Sequence, residues 1–117
     1  MPMALKQDVS LAQRVSGQSK PIDLVHLGHQ TQGDSSLESE ILGMFQTQAG
    51  VYLKMMNCSD VSTRIRAAHS LKGAARGIGA FELAELAEEV EHVRHNGYAK
   101  LQAELDRVVT YISTLKN

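Results

Sequence analysis

The stretch that decides the fold is LQAELDRVVTYISTL, residues 101–115. Its apolar residues Leu101, Leu105, Val108, Ile112 and Leu115 stand 4, 3, 4 and 3 positions apart. With 3.6 residues per helical turn, this spacing draws one narrow apolar line, the pattern of a helix packed along a bundle seam. A strand would require alternation with a period of two, and no segment of the chain shows it.

Working outward, residues 81–95 place Leu83, Leu86, Ala87, Val90 and Val93 on one face, with Asn96-Gly97 as the stop. Both stop residues tolerate the left-handed backbone that closes a helix. The preceding helix is predicted from Ser59 or Asp60 to about Gly77. Before it, Leu37, Ile41, Met44, Phe45, Tyr52 and Met55 fall on a common stripe. That helix is predicted to open with a capping box, Ser35 and Glu38, and to end over Asn57 to Asp60. A short helix is predicted from Asp23, its N-cap, to about Gln30, stopping before Gly33. In residues 1–20, Leu5, Val9 and Ala12 recur at helical spacing, but Gly17 to Pro21 reads as a linker. The expectation is an all-α antiparallel four-helix bundle with a short extra N-terminal helix. Residues 1–20 form a tail, and residues 21–117 form one domain.

Composition agrees and narrows the function. The 117 residues suffice for one domain, and the 43 % apolar share supports one modest core. With no Trp, three Tyr and two Phe, that core must be aliphatic, which suits packed helices. Twelve Lys and Arg against thirteen Asp and Glu leave a net charge of −1, so the strongly basic face of a nucleic-acid binder is missing. No apolar run approaches the roughly 18 residues of a membrane span. The single cysteine, Cys58, has no internal disulfide partner, which fits a reducing compartment, and the expected location is cytoplasmic.

The third long helix carries the chemistry. With His69 at zero on a wheel of about 100° per residue, Ala67, Leu71, Ala74 and Ile78 cluster on the far side, with Ala75 at their edge. Ser62, Ile65, Arg66, Lys72, Gly73 and Arg76 share the His69 side. The histidine therefore faces solvent among cations. Lys72 at i+3 and Arg76 at i+7 would set positive charge where a phosphoryl group on the ring would sit. Gly73 at i+4 costs roughly 1 kcal/mol against alanine inside a helix, which makes sense if a side chain there would obstruct the ring. Ile65, one turn earlier, is expected as an exposed apolar residue of a docking surface. From geometry alone, a solvated basic face with a tolerated glycine explains the same residues.

Residues 69 to 80, His-Ser-Leu-Lys-Gly-Ala-Ala-Arg-Gly-Ile-Gly-Ala, resemble the signature of histidine-phosphotransfer (HPt) domains. That signature is His-x-Leu-Lys-Gly, a small pair, then a hydrophobic-Gly step. Ile22-Asp23-Leu24, Gly33-Asp34 and the acidic, Ala/Leu-rich fourth helix extend the resemblance over roughly residues 22 to 115. The resemblance implies a phosphocarrier of two-component phosphorelays. His69 would exchange a phosphoryl group with the aspartate of response-regulator receiver domains, Lys72 would offset phosphoryl charge, and Gly73 would leave room for the receiver. The partners implied are receiver domains, with a hybrid sensor kinase as a further candidate. No cofactor is expected on this chain, because Mg²⁺ would be held by the receiver. The family often places Gln or Glu on the fourth helix facing the histidine. By offset this is Glu91, a hydrogen-bond acceptor for the imidazole that would also repel an incoming phosphoryl group.

Rival readings are specific. His26 with His29, and His92 with His95, are i, i+3 pairs able to join a metal shell, with Glu88 or Glu89 a turn from His92. No complete shell is visible, so a metal-binding bundle is the second hypothesis, and no residue is assigned as a metal ligand. A receiver-binding module without phosphate acceptance is the third, and the presence of His69 with Lys72 argues against it. An autokinase is excluded, since Gly73, Gly77 and Gly79 form no phosphate-cradling loop after a strand.

Overall fold

A computed structural model of the chain describes residues 20–93 and 98–116. Among the described residues every regular element is helical: α1 Leu24–Gln30, α2 Ser35–Met56, α3 Val61–Ile78, α4 Phe81–Val93 and α5 Tyr98–Lys116. α3 packs on α2 and α4, and α5 closes the ring against α4 and α2, while α1 lies on α3. Short connections between packed neighbours make the four long helices antiparallel. The expected all-α bundle with its short leading helix is the architecture found. The expected tail, with its helical spacing at Leu5, Val9 and Ala12, lies outside the described residues except for Lys20, as do His95 and the Asn96-Gly97 stop.

Three aspartates start three helices. Asp23 Oδ1 accepts from the amides of Val25 and His26, Asp34 Oδ1 from Ser36 and Leu37, and Asp60 Oδ2 from the amide and hydroxyl of Thr63. Each satisfies donors that the first helical turn leaves free. The Ser35–Glu38 capping box is therefore not formed. Gln32 and Gly33 take positive φ and turn the chain so that Asp34, extended at φ −80° and ψ 106°, becomes the cap. The frame moves by one residue, and Ser35 becomes the first residue of the helix.

The core is aliphatic, as the composition requires. Ala67, Ala68, Leu71, Ala75 and Ile78 of α3 meet Leu83, Ala87 and Val90 of α4 and Leu101, Leu105, Val108 and Ile112 of α5, all buried. Leu115 is exposed at the end of the α5 seam. The α2 stripe needs a correction. Leu42, Phe45, Ala49 and Met56 are buried, whereas Leu37 is exposed and Met44 is 64 % exposed. α2 has apolar residues on two adjacent flanks, and only the flank between α3 and α5 enters the core. A single stripe drawn from spacing mixed the two.

α3 ends at Gly79, which takes φ +85° and ψ 17°. Its carbonyl accepts from the Asp23 amide at 2.8 Å, joining the start of α1 to the corner between α3 and α4. A Cβ here would sit 2.8 Å from the Asp23 carbonyl oxygen and 3.3 Å from His26 Cδ2. Both the left-handed backbone and the close approach require glycine. Gly79→Ala is expected to destabilise the chain by about 2 kcal/mol, the scale of a residue held in a strained region. Urea unfolding of the variant reads this directly, and an unchanged midpoint would remove the claim.

Candidate functional site

The site is built on the long helix pair α3 and α4, joined through only Gly79 and Ala80. So short a link fixes their register. Lys72 and Arg76 lie one turn apart on α3, and Glu91 and Glu88 lie one turn apart on α4, so the four form two rungs between the helices. Lys72 Nζ is 2.8 Å from Glu91 Oε1, and an Arg76 guanidinium nitrogen is 3.1 Å from Glu88 Oε1.

His69 stands one turn before Lys72, with its side chain 66 % exposed. Its Nδ1–H donates to Glu91 Oε2 at 2.5 Å. With Nδ1 held this way, Nε2 is the ring nitrogen left with a free lone pair. Glu91 thus binds two groups at once, one carboxylate oxygen on the imidazole and the other on the lysine. The Lys72–Glu91 pair is much drier than the ring, at 15 % and 18 % side-chain exposure. The Lys72 ammonium, with the His69 ring beside it, holds the Glu91 carboxyl below the usual glutamate range, against partial burial that works the other way.

That shift has a consequence for acid stability. A carboxyl with a lowered value in the folded chain stabilises it above the ordinary glutamate pKa of about 4.3. The contribution is lost as pH falls from there through the lowered folded value. At pH 7 Glu91→Gln should unfold at lower urea concentration than the wild type, and the gap should close on acidification below about pH 4. An equal gap at pH 7 and pH 3 would show that the carboxylate charge contributes nothing.

Residues 69, 72, 73 and 91 are brought together, and the remaining sequence-predicted positions are not all beside them. Gly73 is exposed on the His69 face, and a Cβ there would meet nothing within 4 Å. Packing therefore does not require this glycine. Ile65 is half-buried rather than exposed. It lies seven residues before Lys72, on the same half-buried flank of α3. Arg66 is exposed but reaches back to the Thr63 hydroxyl at 3.5 Å, toward the start of α3. Arg76 is paired with Glu88 instead of standing free beside the ring. Glu88 was missed as a neighbour of the site, although its i, i+3 spacing from Glu91 matches the step from Lys72 to Arg76.

Of the histidine pairs, His95 lies outside the described residues, and the others have separate surroundings. His26 packs edge-on against Phe81 with ring centroids 5.0 Å apart, and His92 Nε2 lies 3.8 Å from Glu88 Oε2. Among the described residues no group of three or more His, Cys, Asp or Glu is placed to hold a metal ion. Among them too, no helix is long and apolar enough to cross a membrane.

An exposed imidazole with one nitrogen fixed, the other open, and a neutralised carboxylate behind it is suited to accept and release an electrophilic group. Searches of curated proteins and of solved structures give no match to the chain. The Hpt domain family model matches residues 40–117, which include α3, α4, α5 and every residue of the His69 site. The chain belongs to the Hpt domain family, the helical phosphotransfer modules of two-component signalling.

Proposed function

We propose that the protein is a histidine phosphotransfer protein in which His69 Nε2 receives a phosphoryl group from the aspartyl phosphate of a receiver domain and returns it to another. The N–P bond forms as the acyl P–O bond breaks, and the receiver's aspartate leaves as a carboxylate. The observation that carries this reading is the Nδ1–Glu91 hydrogen bond, which leaves Nε2 as the nucleophilic nitrogen on an exposed ring. In-line phosphoryl transfer needs mainly positioning and charge neutralisation. This chain contributes the positioned imidazole. The receiver, with its Mg²⁺, contributes the groups around the phosphate. No resident cofactor or ATP-dependent kinase activity is part of the reading, and the place of work is the cytoplasm, where receiver domains are found.

Lys72 acts here through Glu91 as well as on the phosphate. A bare carboxylate behind the ring would repel the incoming dianion, and the ammonium 2.8 Å away cancels that charge. The test is timed transfer from phosphorylated receiver domains, with the label checked for the acid lability and relative alkali stability of a phosphoramidate. A chain that binds phosphorylated receivers without becoming labelled would be a docking module only.

The role of Gly73 follows from its open surroundings. Gly73→Gln is expected to slow transfer by tenfold or more while leaving stability unchanged or raised, since replacing a helical glycine recovers up to about 1 kcal/mol. The new side chain would stand one turn from the imidazole, on the face the receiver must approach. Normal transfer with lowered stability would assign this glycine to helix packing instead.

A further inference from the structure

α2 carries a second apolar line beside the one it buries. Leu37, Met44 and Val51 recur every seven residues, and all three are exposed. Ile41 and Met55, half-buried, lie on the same line, and the polar Gln48 takes the one remaining position on it. On a wheel of about 100° per residue these six positions fall within an arc of about 80°. Recurrence of this kind is the seam by which one helix packs along another, and a single polar position in such a seam fixes register at a cost in stability. Beside it a groove of about 430 Å³ opens toward α3, walled by Ile41, Met44, Phe45 and Gln48 and floored by Ala74 and Gly77.

The charges of α2 are complementary to α2 itself. Its carboxylates, Glu38 and Glu40, stand in the first two turns, and its one cation, Lys54, stands in the last. Glu40 and Lys54 flank the seam on the side away from Phe45. Both are exposed, and among the described residues neither makes an ion pair. A helix lying antiparallel on this seam would pair both charges if it carried a cation opposite Glu40 and a carboxylate opposite Lys54. Turned end for end, α2 presents that arrangement.

We propose that this face of α2 is the interface of a twofold dimer, in which α2 packs antiparallel on α2 of a second copy. Leu37 then faces Met55, Ile41 faces Val51, and Met44 faces Gln48, and each contact repeats across the axis. Met44, 64 % exposed and unbranched, is suited to fill the groove beside Gln48 of the other copy. Glu40 comes within a turn of Lys54 of the second copy, and the same pair recurs at the other end. A parallel arrangement would instead set Glu40 against Glu40 and Lys54 against Lys54, which like charge opposes. The seam from Leu37 to Met55 is only about 27 Å long at 1.5 Å per residue. The interface therefore stays below about 1,200 Å², and the dimer is weak and reversible.

Sedimentation equilibrium of the full chain between about 20 μM and about 1 mM should show the average mass rising from one chain toward two. Met44→Asp with Val51→Asp, both at exposed positions, should keep wild-type helicity and stay monomeric over the same range. Lys54→Glu should weaken association by about threefold or more, because symmetry sets two like-charged pairs at the edge. Glu40→Lys combined with Lys54→Glu should restore it, since the two charges have only changed places. A wild-type chain that stays monomeric at about 1 mM would overturn the proposal. So would dimers that survive the two aspartates, or a charge swap that restores nothing. If the wild type is monomeric and the aspartate variant loses transfer from a receiver, the face belongs to the receiver instead. The mass measurements involve no phosphate, so the dimer and the function of His69 stand or fall separately.

Discussion

His69→Gln is expected to abolish phosphate acceptance and leave the bundle folded. The side chain is 66 % exposed and contributes nothing to the aliphatic core, so its removal opens no cavity. Glutamine is a better helix former than histidine, and α3 keeps its Asp60 cap and its Gly79 stop. Glu91 retains Lys72 as a partner, so no carboxylate is left unpaired. What disappears is the nucleophile. His26, His29 and His92 remain in the variant; His92 also faces a carboxylate that holds a cation, Glu88 with Arg76, but at 3.8 Å its ring nitrogen is beyond hydrogen-bond distance, so it is not fixed as His69 is. Incubation with a radiolabelled receiver phosphate should leave the variant unlabelled, with wild-type helicity by circular dichroism. Labelling of a folded variant would place the acceptor on another histidine.

Much of this fold was legible in the sequence, and the parts that were not share a physical cause. Spacing located the long helices because each buries an apolar line, while the short α1, which buries only Leu27, was marked by its Asp23 cap. Spacing says which residues share a line, not which neighbour the line faces. α2 shows the limit: Met44 and Phe45 are adjacent in sequence, yet Phe45 enters the core and Met44 stays outside. The choice between two apolar flanks is made by α3 and α5, which a single-helix reading does not contain. The capping box failed for a related reason, since the left-handed turn at Gln32 and Gly33 decides which residue becomes the cap.

The site divides in the same way. His69, Lys72 and Gly73 were readable because one helix holds them all, and Glu91 because the family resemblance supplied the partner helix. The state of the cations was not readable. A wheel of α3 places Lys72 and Arg76 around His69 as free charges, while the antiparallel α4 brings Glu91 and Glu88 against them. The exposure of Ile65 was misjudged as well, since it shares the half-buried flank of α3 with Lys72. The error over the cations came from treating as a surface what is half of a two-helix interface.

That pairing changes what loss of the lysine should do. Lys72→Ala removes the ammonium 2.8 Å from Glu91 Oε1 and leaves the carboxylate held only by the imidazole. A phosphoryl group arriving at Nε2 then meets an uncompensated negative charge across the ring, in addition to losing a nearby cation. Charge-assisted hydrogen bonds contribute about 1.5–3 kcal/mol, so a slowing of about 10- to 100-fold is expected. Arg76→Ala should slow transfer less, because Glu88 already occupies that guanidinium and the pair is farther from the ring. The discriminating measurement is the double mutant. If Lys72 acts partly by neutralising Glu91, then Lys72→Ala with Glu91→Gln should transfer faster than Lys72→Ala alone, since the amide carries no charge to repel the phosphate. It should also stay below the wild type, because the direct attraction of the lysine is still missing. A simple multiplication of the two single-mutant losses would mean that the lysine and the glutamate act independently. The rates are read as second-order constants at a fixed ionic strength, since exposed charge attraction is screened over about 8 Å in physiological salt. In that multiplicative case Glu91 would serve chiefly to hold the ring. Partial rescue would show that the lysine keeps a necessary carboxylate harmless while it fixes Nδ1.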